Sequence, residues 1–141
     1  MKYVIDASVV LKWVLAEPDF DKALALRESY RQHTDALIAP SLLLVECGHG
    51  LFRARNKNVI AAGQPRRLLA KIMADGPVLM ETTNLVSRAG EIAEQYRVGF
   101  YDACYLALAD TESCGFVTAD RKLLNIASKN LTYIIDLANM P

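Results

Sequence analysis

Short apolar runs rich in branched and aromatic residues alternate along this chain with longer stretches whose apolar positions recur every three or four residues. The runs at Tyr3–Ile5, Ala36–Ala39, "PVLME", "GFVT" and "LTYIID" predict strands. Between them the longer period predicts helices over Ser8–Ala16, Phe20–Gln32, Ser41–Arg55 and Pro65–Ala74. Further helices are predicted from a cap at Asn84 through Tyr96, closing at Gly99, then from Asp102 to Thr111 and from Asp120 to Ala127. Such alternation predicts a single α/β domain over residues 1–141, built on a mostly parallel five-stranded sheet.

In open parallel sheets, chemistry gathers beyond the carboxyl ends of the strands. Asp6 directly follows the first strand, and Asp120 follows "GFVT" after Ala119. Pro40 ends "ALIA" and leads into a helix that carries Glu46, while Asp102 opens the most apolar helix, "YDACYLALA". Asp6, Asp102 and Asp120 also stand where helix-capping acids stand. Glu46, in "SLLLVECG", needs a partner: either Arg53 two turns on or a metal ion. Carboxylates brought together repel by roughly 4 kcal/mol per close pair at an effective dielectric near 20, so a cluster requires protons or cations. Hard oxygens without His or Cys company suit Mg²⁺ or Mn²⁺ rather than zinc, and ions held this way serve phosphoryl chemistry.

Charge and composition narrow the picture. The chain has 16 basic and 16 acidic residues, so nucleic-acid binding would have to come from a local basic patch or bound cations. Arg53, Arg55 and Lys57 close one predicted helix; Arg66, Arg67 and Lys71 open the next; Arg121 and Lys122 follow Asp120. An apolar share of 52% leaves room for a partner interface. Cys47, Cys104 and Cys114 form no CxxC pair and read as buried thiols in a reducing compartment. No apolar run approaches the roughly 18–20 residues of a membrane span, and the first residues lack a signal-peptide pattern, so a cytoplasmic protein is expected. There is no D-x-D after the first strand, no GxGxxG, no GxxxxGK[ST] and no GxSxG.

"VIDASVVLKW", "APSLLLVE", "FYDACYLALA" and "VTADRKL" together resemble a PIN domain. Their order and spacing resemble the VapC-type toxin ribonucleases of toxin–antitoxin systems. The resemblance implies a three-layer α/β/α fold and an Mg²⁺- or Mn²⁺-dependent endoribonuclease acting on RNA. Its metal-binding catalytic acids would be Asp6, Glu46, Asp102 and Asp120, with Ser8 and Thr118 supporting them. It further implies a cognate antitoxin covering a hydrophobic groove, to which Trp13 and Phe20 are expected to contribute, and a homodimer. Arg121 and Lys122 are the expected phosphate contacts. The pattern departs from the family at His49, where Asn is common; Glu46-x-x-His49 is also half of a di-iron motif, without a second copy. A PIN nuclease of RNA processing and a silent PIN interaction domain remain as alternatives, and retention of all four acids argues against silence.

Overall fold

Five apolar runs become five strands: β1 (Lys2–Ile5), β2 (Ala36–Pro40), β3 (Val78–Met80), β4 (Gly115–Thr118) and β5 (Ile134–Asp136). The structure is a computed structural model that describes residues 1–141. The strands form one sheet in the order β3-β2-β1-β4-β5, and every neighbouring pair is parallel. Val4, Ile5, Leu37, Ile38, Phe116 and Val117 are all buried, which is why the inner strands read as unbroken apolar runs. Edge strand β3 instead leaves Val78 and Leu79 exposed.

Seven helices connect them: α1 (Ala7–Val10), α2 (Phe20–Arg31), α3 (Leu43–Asn56), α4 (Gln64–Asp75), α5 (Val86–Tyr96), α6 (Phe100–Glu112) and α7 (Arg121–Ala127). The chain steps from β1 to β2 to β3 in one direction, then back across the sheet to β4. Right-handed crossovers therefore put α2, α3 and α4 on one face and α5 and α6 on the other. The packing agrees: α3 lies against α4 and α1, α5 lies against α6, and α6 crosses β1, β2 and β4. Residues Ala103 to Ala109 of α6 are buried without a break, which makes this helix the spine of its layer. No helix is long and apolar enough to cross a membrane.

Several local expectations change. Asn84 caps nothing: it lies inside a 3₁₀ turn, Thr82–Leu85, whose cap is Glu81, with its carboxylate accepting from the Thr83 N–H. Gly99 is the N-cap of α6, so the helix begins before Asp102 and that acid lies in its first turn. The last strand keeps only Ile134–Asp136, because Leu131 and Ile134 close backbone turns onto Ala127 and Leu131. The first helix shortens to α1 followed by a 3₁₀ turn, Leu11–Trp13. Gly50 has its reason here: a Cβ at that position would stand 2.5 Å from the Leu11 Cδ1, so the bare backbone lets α3 close on this turn.

Trp13 does not belong to an open groove. It is 7% exposed, its indole N–H donates to the Ala23 carbonyl at 2.9 Å, and the Arg27 guanidinium lies 5.9 Å from the ring centre. The ring pins α2 to the first crossover, so its burial corrects the expected partner contact. Phe20, at the start of α2, is 47% exposed. Trp13→Ala should therefore cost about 3–5 kcal/mol. The urea midpoint should fall with its slope unchanged; an unmoved midpoint would return the ring to the surface.

Candidate active site

The strand order reverses between β1 and β4, so a crevice opens at their carboxyl ends. Asp6 leaves β1 there and caps α1, and Asp120 leaves β4 and caps α7. Asp6 is 6% exposed. Its Oδ1 accepts from the Ser8 hydroxyl at 2.5 Å and the Val9 N–H at 3.3 Å, and its Oδ2 accepts from the Thr118 hydroxyl at 2.5 Å. Each hydroxyl is held in turn. Ser8 Oγ accepts from the Ala119 N–H at 2.9 Å, and Thr118 Oγ1 from the Asp120 N–H at 3.1 Å. The exit turns of the two central strands are thus tied through one carboxylate. Asp120 spends its Oδ1 on the Leu123 N–H at 3.2 Å. The capping and clustering readings of Asp6 and Asp120 are therefore compatible.

Asp102 enters from the first turn of α6, half-buried and without a hydrogen-bond partner. Burial, then the charges of Asp120 and Asp6, push its carboxyl up to about 6, while Lys122 pulls the other way. Asp6 is likewise pushed up to about 6, chiefly by burial against the pull of Ser8, Thr118 and Val9, with Asp120 adding repulsion. Glu46 projects from α3 toward the same crevice. Its partner is neither Arg53 nor another charge: the Tyr105 hydroxyl on α6 donates to Glu46 Oε1 at 2.6 Å. Tyr105 is 1% exposed and its ring stacks on Phe116 of β4 at 5.8 Å. Burial and Asp102 raise Glu46, whereas Tyr105 and His49 lower it.

Arg53 fails as a partner for a geometric reason. It lies seven residues past Glu46, about 10 Å along the axis, whereas helical pairs form at three or four residues. Instead Arg53 lines a cavity of about 720 Å³ with Glu46, His49, Tyr101, Ala7 and Leu42. Of the two expected phosphate contacts, Lys122 lies near enough to Asp102 for its charge to pull that carboxyl down. Arg121 turns instead to Asp136 at the end of β5 and pairs with it. Cys47 is buried beside Glu46, and burial followed by the charges of Glu46 and Asp6 pushes its thiol up to about 12, which leaves no nucleophilic thiolate.

Sequence reasoning missed Tyr105. Its only signal is a polar tip three residues beyond Asp102 in an otherwise apolar helix, which puts both on one face. No three His, Cys, Asp or Glu side chains are gathered closely enough to grip an ion between them. The donors are all hard carboxylate oxygens, and Mg²⁺ takes one or two carboxylates directly while keeping its waters. In donor chemistry the residues fit Mg²⁺ or Mn²⁺.

Residues 3–129 match the family model of the PIN domain. The chain belongs to the PIN domain family. This PIN domain is 29% identical over 120 residues to ribonuclease VapC9 of Mycobacterium tuberculosis and to VapC ribonuclease Mb0985 of Mycobacterium bovis. Those alignments span 85% of this chain and 87% of each relative. Among solved structures it resembles PAE2754 from Pyrobaculum aerophilum, with a TM-score of 0.69 and 24% identity over 98% of this chain and 93% of that one. It also resembles VapBC2 from Rickettsia felis bound to a DNA fragment from their promoter, with a TM-score of 0.68 and 17% identity over 96% and 98%.

Two expectations follow from the electrostatics. Folded Asp6 and Asp102 keep their protons up to about pH 6, whereas unfolded carboxyls release them near pH 4. These two groups therefore favour the metal-free fold below about pH 4, and that advantage is lost as pH rises to about 6. Asp102→Asn removes its share. Because the group is part-exposed and screened, the variant should be more stable than wild type by on the order of 1 kcal/mol near pH 7, with the gap closing toward pH 4. Urea unfolding of both proteins across that range checks this, and a constant gap would mean that Asp102 does not titrate high. Tyr105→Phe keeps the stack but strips Glu46 of its donor, at about 1–3 kcal/mol. Carboxyl NMR should then show Glu46 titrating higher still; an unmoved titration would mean that the hydroxyl does not hold it.

Proposed function

We propose that this PIN domain is an Mg²⁺- or Mn²⁺-dependent endoribonuclease that hydrolyses RNA phosphodiester bonds, acting as a toxin held in check by a cognate antitoxin. The carrying observation is that Asp6, Asp102 and Asp120, with Glu46 beside Asp102, face the crevice where the strand order reverses and stand near enough to push one another's carboxyls up. Uncompensated carboxylates there are a cost to the fold, and a divalent cation repays it. The VapC names of the 29%-identical relatives support the choice of RNA as substrate.

Within this reading each side chain has a task. Ser8, Thr118 and the Val9 N–H hold Asp6 at a fixed angle in the crevice. Tyr105 fixes Glu46 across the gap between α6 and α3. Asp102 keeps both oxygens free of protein donors, so they remain available to a ligand. Lys122 brings a positive charge that Asp102 feels and suits an incoming phosphate. When bound, Mg²⁺ or Mn²⁺ supplies charge for the non-bridging phosphate oxygens and a water of lowered pKa.

Partner binding rests on kinship of fold. Structural neighbours include the Rickettsia felis VapBC2 assembly and a toxin–antitoxin complex from Klebsiella pneumoniae, the latter with a TM-score of 0.62 and 12% identity. Phe20, Val59 and Met73 remain exposed and offer apolar surface for an antitoxin or for a second copy of the chain. Purified protein should cut RNA with Mg²⁺ or Mn²⁺ and stop in EDTA. Asp6→Asn and Asp102→Asn should each abolish cutting while keeping a cooperative unfolding transition. Cleavage that survives EDTA, or full activity in either variant, would sink the assignment.

A further inference from the structure

Strand β5, like β1 and β4, runs out into an acid at the carboxyl edge of the sheet, here Asp136. Its Cα pairs across the ladder with Thr118, the residue whose hydroxyl donates to Asp6. A further carboxylate therefore stands in the row of strand ends beside the crevice. It is a fixed acceptor, because its Oδ1 also takes the Ala138 N–H at 2.9 Å and so caps the last 3₁₀ turn, Leu137–Asn139. Its counter-ion is Arg121, whose side chain is 63% exposed against 17% for Asp136.

Arg121 opens α7 and follows Asp120 directly. A cation in the first turn opposes the helix dipole, and an exposed ion pair adds little to stability. What the pair does set is where the charge goes. The carboxylates whose charge reaches Arg121 are Asp136 and Asp19, whereas Asp102 feels Lys122. A guanidinium keeps its charge and presents five donors in a fork that fits a carboxylate. Let go at a point one residue from Asp120, it would meet the crevice acids and neutralise them from within the chain. We propose that Asp136 is a positioning residue that holds Arg121 off these acids and so leaves them open to a divalent cation. The proposal rests on the metal-binding reading of the acids, but its test does not need cleavage.

Mn²⁺ binding to the RNA-free protein would be followed by the electron paramagnetic resonance of the free ion. Asp136→Asn keeps an oxygen for the Ala138 N–H but gives up the charge that engages Arg121. It should weaken Mn²⁺ binding by about fivefold, as expected if only about a fifth of the molecules keep an open site. Asp136→Ser, which offers a shorter acceptor to the same N–H, should behave alike. Adding Arg121→Gln to Asp136→Asn should restore binding to within about twofold of wild type, because the two residues act through one contact. Removing Arg121 would not repair a lost cap or a frayed strand end, so this rescue separates placement of the charge from a structural role. Arg121→Gln alone should bind Mn²⁺ as wild type does, and the urea midpoints should stay close together. Unchanged Mn²⁺ affinity in both Asp136 variants, a loss that the double variant does not restore, or weaker binding in Arg121→Gln alone would each overturn the proposal. A wild type that binds no Mn²⁺ would overturn it together with the metal-binding reading. Binding as expected without any cleavage of RNA would instead remove the nuclease reading and leave the role of Asp136 standing.

Discussion

A buried carboxylate between two strand exits is the constraint on which this fold turns. Leaving Asp6 ionised and unpaired at 6% exposure would cost several kcal/mol, so the chain must bring donors to it. It brings them from both sides of the switch point: Ser8 and Val9 from the segment after β1, and Thr118 from the end of β4. Ordering one acid thereby fixes the spacing of the two central strand exits. The same tie sets Asp120 one residue beyond the knot, facing Asp6 and Asp102.

The opposite face contributes through length and not through capping. Because α6 is buried along most of its run, its first turn has little freedom, and Asp102 and Tyr105 arrive one above the other on the same side. One faces the crevice without a donor, and the other reaches across to α3 and holds Glu46. The positive charges are kept apart from the acids. Arg121 is drawn off by Asp136 and Arg53 lies two turns down α3, which leaves Lys122 as the offsetting charge felt by Asp102. Such an arrangement keeps the acids short of cations from the chain itself.

The sheet and the positions of Asp6 and Asp120 were legible because buried parallel strands make continuous apolar runs and an acid just past their ends breaks the pattern, whereas Glu46 and Asp102 stood out as acids in apolar helices. Boundaries were less so. Asn84 looked like a cap because its side chain suits one, but Glu81 occupies that role three residues earlier. The Trp13 environment was hidden for another reason: a single aromatic at the end of a short helix reads the same whether it meets solvent or α2, and only the Ala23 carbonyl decides between them. Tyr105 was hidden by the length of its own apolar run. Its partner lies 59 residues away on the other layer, and no local period reports that distance.

The knot at Asp6 also has a sense of direction. Ser8 and Thr118 own one hydroxyl hydrogen each, and both point inward to the carboxylate while backbone N–H groups of the following turn donate to their oxygen lone pairs. Their two oxygens lie 3.3 Å apart, yet with both hydrogens committed neither donates to the other. A proton that settles on Asp6 breaks this symmetry. One carboxyl oxygen becomes a donor, and the hydroxyl facing it must swing its hydrogen elsewhere, for which its neighbour stands within reach. The orientation of two small hydroxyls thus records whether the acid between them is charged.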